Sequence, residues 1–371
     1  MDLSGALSPK GGPPARLDMA HLQTGPVTFA AAVAYPTGLG PECVAIADLD
    51  GDGRRDLVVA NDQAGSLSVL DNVGGGAFAA ARTYPAGPHP DGVAIGDLNG
   101  DHRPDIAVPN NTSTNASVLL QGGTHAFAFA SRDTYLVGWN PLAIAIADLN
   151  GDGAPDIAAA TDATPTLAVL PNDGSGRFLP AAHYDLHGGD VASVAVGDVT
   201  GDGWADVVVV ASQAGHVSVL RNRGDGTFDA SVTWGAGMRP VSVAIGDLDD
   251  DGQPDLAVAN WDGGGVSVLR NVHGTFPTAI QYASAANPSS VAIGDLDHDG
   301  HPDLAVANLG DDTVTVLRGS ADHTFAAPLF FAAGNQPSSV AIGDLDGDGK
   351  LDLAVANRQS ADVRVLVNTS P

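Results

Sequence analysis

The chain has 371 residues and a net charge of −28, which excludes nucleic acid and anionic membrane as partners because both require basic surface. A hydrophobic content of 44% is enough for a core, and the single cysteine, Cys43, excludes an internal disulfide or a paired-cysteine metal site. The 44 acids are 43 aspartates and one glutamate, Glu42, whereas acid serving solubility alone would mix the two. A short carboxylate close to the backbone suits turns, caps and metal loops.

Residues 1–25 contain Gly11-Gly12-Pro13-Pro14 and no apolar run, so a flexible tail without a leader is expected, ahead of a single domain over residues 26–369. No 18-residue apolar stretch exists, so no transmembrane segment is expected. The first strand is predicted near Val27-Thr28-Phe29 to Tyr35, a stretch that matches Gly76-Ala77-Phe78 to Tyr84. From there one unit recurs. Its leading aspartate falls at Asp48, Asp97, Asp148, Asp198, Asp247, Asp295 and Asp344, at spacings of 49, 51, 50, 49, 48 and 49.

Within a unit the pattern predicts strands. In the fifth copy these are Val243–Leu248, a doubly apolar Asp255–Asn260, and Val266–Arg270; a Gly-rich turn and a Phe then lead to a fourth strand, as at Val232–Trp234 in the preceding copy. Four strands per fifty residues and no helical period predict an all-β, seven-bladed β-propeller of four-stranded antiparallel blades. The last copy stops after its third strand, Val363–Val367, so the N-terminal strand is expected to close the last blade.

Between the first and second strands every unit carries Asp-x-Asp/Asn/Thr-x-Asp, a turn, and a further Asp at position 9. Side-chain oxygens at positions 1, 3, 5 and 9 and a backbone carbonyl at 7 converge in such a loop, and hard, anionic oxygen donors suit Ca²⁺, one ion per blade and up to seven in all. The expected ligands are Asp48, Asp50, Asp52, Arg54 and Asp56 in the first loop, and Asp97, Asn99, Asp101, Arg103 and Asp105 in the second. The third offers Asp148, Asn150, Asp152, Ala154 and Asp156, and the fourth Asp198, Thr200, Asp202, Trp204 and Asp206. The fifth offers Asp247, Asp249, Asp251, Gln253 and Asp255, the sixth Asp295, Asp297, Asp299, His301 and Asp303, and the seventh Asp344, Asp346, Asp348, Lys350 and Asp352. The second loop, with His102 in the place of Gly, and the fourth, with Thr200, are expected to bind most weakly. Hairpin turns alone would explain one Asp per loop but not three or four.

These repeats resemble the FG-GAP/VCBS type, the blade of integrin α-subunit propellers and of secreted bacterial proteins, and they lie closer to the bacterial pattern because the integrin Phe-Gly signature is absent and Gly-Ala-Pro does not recur, appearing once inside the third aspartate loop at Gly153-Ala154-Pro155. The resemblance implies a calcium-bearing propeller and leaves function open among adhesion modules, lectins and polysaccharide-acting enzymes. It agrees with an extracellular, cell-surface or periplasmic setting, where calcium is about millimolar.

The loops facing away from the metal side vary most, and there recognition residues are expected: Trp139, Asn140, His187, Asp190, His216, Arg239, Trp261 and Asp262, in blades three to five. Their stacking and hydrogen-bonding groups suit a glycan or a protein ligand, and a monomeric domain is expected. The four Trp occupy four different places in the unit, so seven equivalent sugar pockets are not expected. No nucleophile-elbow, zinc-protease or P-loop motif occurs, which leaves a lyase or hydrolase, or a structural cell-surface component, as alternatives without a motif of their own. Arg223-Gly224-Asp225 sits inside a turn template shared with Asn172–Phe178 and reads as part of that turn.

Overall fold

The computed structural model describes residues 27–122, 127–186 and 188–371, and these form seven four-stranded antiparallel sheets. The tail expected over residues 1–25 lies outside the described residues. In the fifth blade the strands are Pro240–Gly246, Asp255–Asn260, Gly265–Leu269 and Ala279–Ala283, paired in chain order. The first strands of successive blades touch one another, which places them innermost around a common axis. The inner strand begins three residues earlier than the sequence pattern suggested and ends at Gly246, because Asp247 already turns the chain by accepting the Gly252 amide at 2.9 Å.

Ring closure follows the expected route. Val33–Pro36 pairs antiparallel with Asp362–Leu366 as the outer strand of the seventh blade, and Phe29 bridges Asn368 beyond it. Second strands such as Asp156–Thr161 and Asp206–Ala211 are buried along their whole length, because a neighbouring blade covers each face of a sheet. That double burial is why they read as continuous apolar runs instead of alternating ones.

The core is divided into seven clusters, one at each interface between blades; Leu149, Leu167, Val207 and Phe228, for example, join the third blade to the fourth. Around the rim an aromatic residue of one outer strand meets the turn Phe of the next blade edge to face, as in Tyr184–Phe228 at 5.3 Å and Tyr282–Phe325 at 5.0 Å. Trp234 takes the Tyr place against Phe276 at 6.3 Å. Near the axis, serine hydroxyls of one inner strand accept amides of the next: Ser193 from Val243, Ser242 from Val291, Ser290 from Val340 and Ser339 from Val44. Cys43 occupies the same place in the first blade, and burial pushes its thiol up.

Candidate functional site

One face of the ring carries the seven aspartate loops. Their shape comes from carboxylates capping nearby amides: in the first loop Asp48 accepts Gly51 and Gly53, Asp50 accepts Asp52, and Asp52 accepts Arg54, at 2.8–3.1 Å. The sixth position needs a left-handed residue, φ 87° at Gly53, and His102 adopts it at φ 64° in the second loop, where a side chain costs about 1 kcal/mol.

The position-9 aspartate is the frame of the loop. Asp56 is buried; its Oδ2 accepts the Leu49 amide and its Oδ1 the Asn72 amide, both at 2.8 Å. The same two bonds recur at Asp105, Asp156, Asp206, Asp255, Asp303 and Asp352. Burial pushes these acids up, Asp56 to about 6 and Asp303 to about 7, because two amides compensate only in part for lost hydration.

The residue sixteen positions on, Asn72, Asn172, Asn222, Asn271 or Asn368, then staples two blades. Its side-chain amide donates to the carbonyl before the position-9 Asp and to the carbonyl at position 2 of the preceding blade's loop, at 2.7–2.9 Å. Gln121 reaches Leu49 in the same way. Gly319 stands in this place in the sixth blade, where an added Cβ would lie 2.3 Å from the Pro302 carbonyl oxygen. The junction of blades five and six is instead bridged by an imidazole–carboxylate contact, with His301 Nδ1 2.9 Å from Asp250 Oδ2.

A metal ion fits these loops. Asp48/Asp50/Asp56, Asp247/Asp249/Asp251, Asp295/Asp297/Asp299 and Asp344/Asp346/Asp348 each bring carboxylate oxygens within 4.8 Å of one another. Asp295 Oδ1 at position 1 and Asp249 Oδ1 at position 3 are buried without a hydrogen-bond partner. Like-charged oxygens held together with some of them unsatisfied suit a hard cation. Trp204, at position 7 of the fourth loop, packs its indole over Gly151 and Gly224.

On the opposite face every blade uses one clip. The residue eight positions before the leading aspartate is left-handed, at Gly40, His89, Asn140, Asp190, Arg239, Asn287 and Gln336, with φ 48–67°. Its carbonyl accepts the amide twenty-two residues on: Asp62, Asn111, Asp162, Ser212, Trp261, Leu309 or Arg358, at 2.7–3.0 Å. The clip fixes which side chains become neighbours. In the fifth blade it sets Arg239 over the Trp261 ring at 5.4 Å and 3.8 Å from Asp262.

Trp261 and Asp262 also line a cleft of about 420 Å³ between blades five and six, with Ser284, Asn287, Asp311 and Phe330 opposite. Of the residues singled out in the sequence, the fold thus gathers Arg239, Trp261 and Asp262. Trp139 stands exposed and Asn140 serves its own clip to Asp162; Asp190 accepts from Gln213, and His216 packs beneath Gly188. Among the described residues no hydrogen bond, ion pair or ring contact joins these four to the Trp261 group, and His187 lies outside the described residues. Asp311 and Phe330 escaped the sequence reading because they come from the next blade, and Ser284 and Asn287 because they lie in the connection that leads into it. Arg223 pairs with Asp229 at 2.6 Å and Asp225 caps Thr227, so the Arg-Gly-Asp tripeptide is spent on its own turn.

The sequence profile of FG-GAP-like repeats matches residues 48–108, 148–209, 208–258, 247–306 and 295–355. No curated protein matches the chain. Among solved structures, streptogramin B lyase is similar with a TM-score of 0.64 and 15% identity, over 91% of this chain and 98% of that one. BBS1N, solved in complex with ARL6DN, is similar with a TM-score of 0.63 and 13% identity, over 93% and 97%. An Agrocybe aegerita lectin recognising non-reducing terminal N-acetylglucosamine is similar with a TM-score of 0.53 and 19% identity, over 91% and 97%. At such identities the likeness is one of fold.

Proposed function

This chain belongs to the FG-GAP-like repeat family, and we propose on that footing that it is a calcium-stabilised recognition module, one domain over residues 26–369, working as a monomer outside the cytoplasm and binding a glycan or protein on the face opposite the metal loops. Calcium is favoured over magnesium because the loops offer many flexible carboxylate and carbonyl oxygens, whereas Mg²⁺ holds a strict octahedron and keeps its waters. Loops of this kind load at the calcium levels found outside cells. No helix of the described residues is long and apolar enough to cross a membrane.

The observation that carries the recognition half is the cleft beside Trp261. Its volume of about 420 Å³ falls in the range of small-ligand sites, and it sets two aromatic walls, Trp261 and Phe330, against the polar groups of Asp262, Asn287 and Asp311. Two carboxylates at the rim favour a neutral, hydroxyl-rich ligand over an acidic polysaccharide. Similar propellers in a complex with a protein and in a sugar-specific lectin agree with both ligand classes.

The test is a glycan array and a protein-capture screen on calcium-loaded protein, followed by titration of any hit. Trp261→Ala should weaken binding at least tenfold while Trp139→Ala leaves it within about twofold. Undiminished binding by Trp261→Ala would place the ligand elsewhere.

A further inference from the structure

Four loops carry the full set of four aspartates, yet they differ in what reaches them. In the fifth and sixth blades the residue closing the third strand is arginine, and its guanidinium turns back into the loop of its own blade. Arg270 Nη1 lies 2.8 Å from Asp249 Oδ2 and 3.3 Å from Asp255 Oδ2, with only 17% of its side chain exposed. Its Nη2 also donates to the His323 carbonyl of the sixth blade. Arg318 Nη1 lies 3.3 Å from Asp297 Oδ2, and the Asp297 side chain is 5% exposed. The acids concerned are at positions 3 and 9, the ones a bound ion would use.

The first and seventh loops have the same acids, but Asp71 and Val367 fill the place of the arginine. Among the described residues no guanidinium pairs with Asp50 or Asp346; Arg54 pairs with Asp52 at position 5 and donates to the Asn72 carbonyl, and its side chain is 47% exposed, against 17% for Arg270. The fourth blade has an exposed counterpart, Arg221 on Asp202 at 3.0 Å.

We propose that Arg270 and Arg318 are resident counter-cations that compete with the metal. This rests on the reading that the loops bind calcium. A guanidinium neutralises part of the carboxylate repulsion, so the fifth and sixth loops hold their shape without an ion. The same charge repels an incoming divalent ion and occupies an oxygen it would take. The partnerless Asp249 Oδ1 and Asp295 Oδ1 still leave room for binding once the guanidinium yields. Loops one and seven therefore fill first, and loops five and six fill at higher calcium, joining the second and fourth in the weaker class. Because Arg270 also ties its blade to His323 across the junction that lacks an amide staple, filling the fifth loop loosens one link between blades five and six.

The experiment is calorimetric titration of calcium alone into metal-free wild type, Arg270→Gln and Arg318→Gln, with a chromophoric chelator in competition. Wild type should show a tight and a weak class. Each variant should move one site from the weak class to the tight one, about tenfold tighter, which corresponds to ~1.4 kcal/mol. Each variant should also melt lower than wild type without metal and gain more on loading. Arg270→Lys, which keeps the charge, should stay in the weak class.

An unchanged isotherm in both Gln variants, or a lost site, overturns the competition while leaving calcium binding intact. No calcium uptake by wild type overturns the metal reading itself. If Arg270→Gln does not fold without metal, Arg318→Gln, which has no tie across the junction, decides the matter.

Discussion

Replacing Asn222 by alanine tests whether the side-chain amides hold adjacent blades together. Asn222 is 1% exposed and makes three bonds: its Nδ2 donates to Leu149 and Ala205 carbonyls, and its Oδ1 accepts the Gly224 amide, each at 2.9 Å. Each buried bond contributes about 1 kcal/mol net, so Asn222→Ala should cost about 3 kcal/mol. With ~2.1 cal/mol/K of unfolding entropy per residue, a chain of this length loses about 4 °C in melting temperature. The assay is calorimetric or denaturant unfolding at saturating calcium, so that metal occupancy is held constant. Asn222→Asp keeps the shape and the acceptor but replaces the donor with a third acceptor facing two carbonyls, so it should cost at least as much as alanine. A loss below about 0.5 kcal/mol in Asn222→Ala, or an aspartate variant milder than alanine, would refute the donor argument and assign the site to packing alone.

Two further outcomes follow from the same geometry. Chelation should lower the melting temperature by about 4 °C if loops one and seven each contribute ~1.4 kcal/mol at calcium ten times above their Kd, and an identical curve in EDTA would contradict the metal assignment. Burial, only partly offset by Arg358 and reinforced by Asp91 and Asp62, raises Glu42 from 4.5 to about 7. The unfolded chain thus releases this proton near pH 4.5 and the folded chain near pH 7. Stability from this group is full below pH 4.5, is lost as pH rises through 7, and a penalty of about 3 kcal/mol stands above that. Glu42→Gln should therefore stabilise the calcium-loaded protein by about 2–3 kcal/mol at pH 8 and leave it unchanged at pH 4.5, and equal effects at both pH values would overturn the assignment.

The parts of this fold legible in the sequence are those where one residue type answers one local demand. Aspartates at positions 1, 3 and 5 mark the loop because each caps an amide two to five residues away. Val207–Val210 reads as a strand covered on both sides because nothing polar interrupts it. What stayed hidden depends on register between distant segments. Asn222 reaches Leu149, seventy-three residues back, and Arg239 meets Trp261 only because the clip from the Arg239 carbonyl brings their loops together.

A signal for both existed. The staple follows the position-9 aspartate by sixteen residues in the six copies that have one and the clip spans twenty-two residues in all seven, although the copies themselves differ in length. Offsets that stay constant while the repeat length drifts belong to pairs under a common geometric constraint, and the drift falls in the outer turns that no clip controls.

The single glutamate fits the same logic. Glu42 belongs to the first blade and its partner, Arg358, to the seventh, so their pair spans the junction where the ring closes. The equivalent contact between the first two blades is His89 with Asp62, where an imidazole supplies the reach and an aspartate suffices. At the closing junction the acid comes from the inner strand instead, and Glu42 reaches the Arg358 guanidinium from Pro41–Ala47.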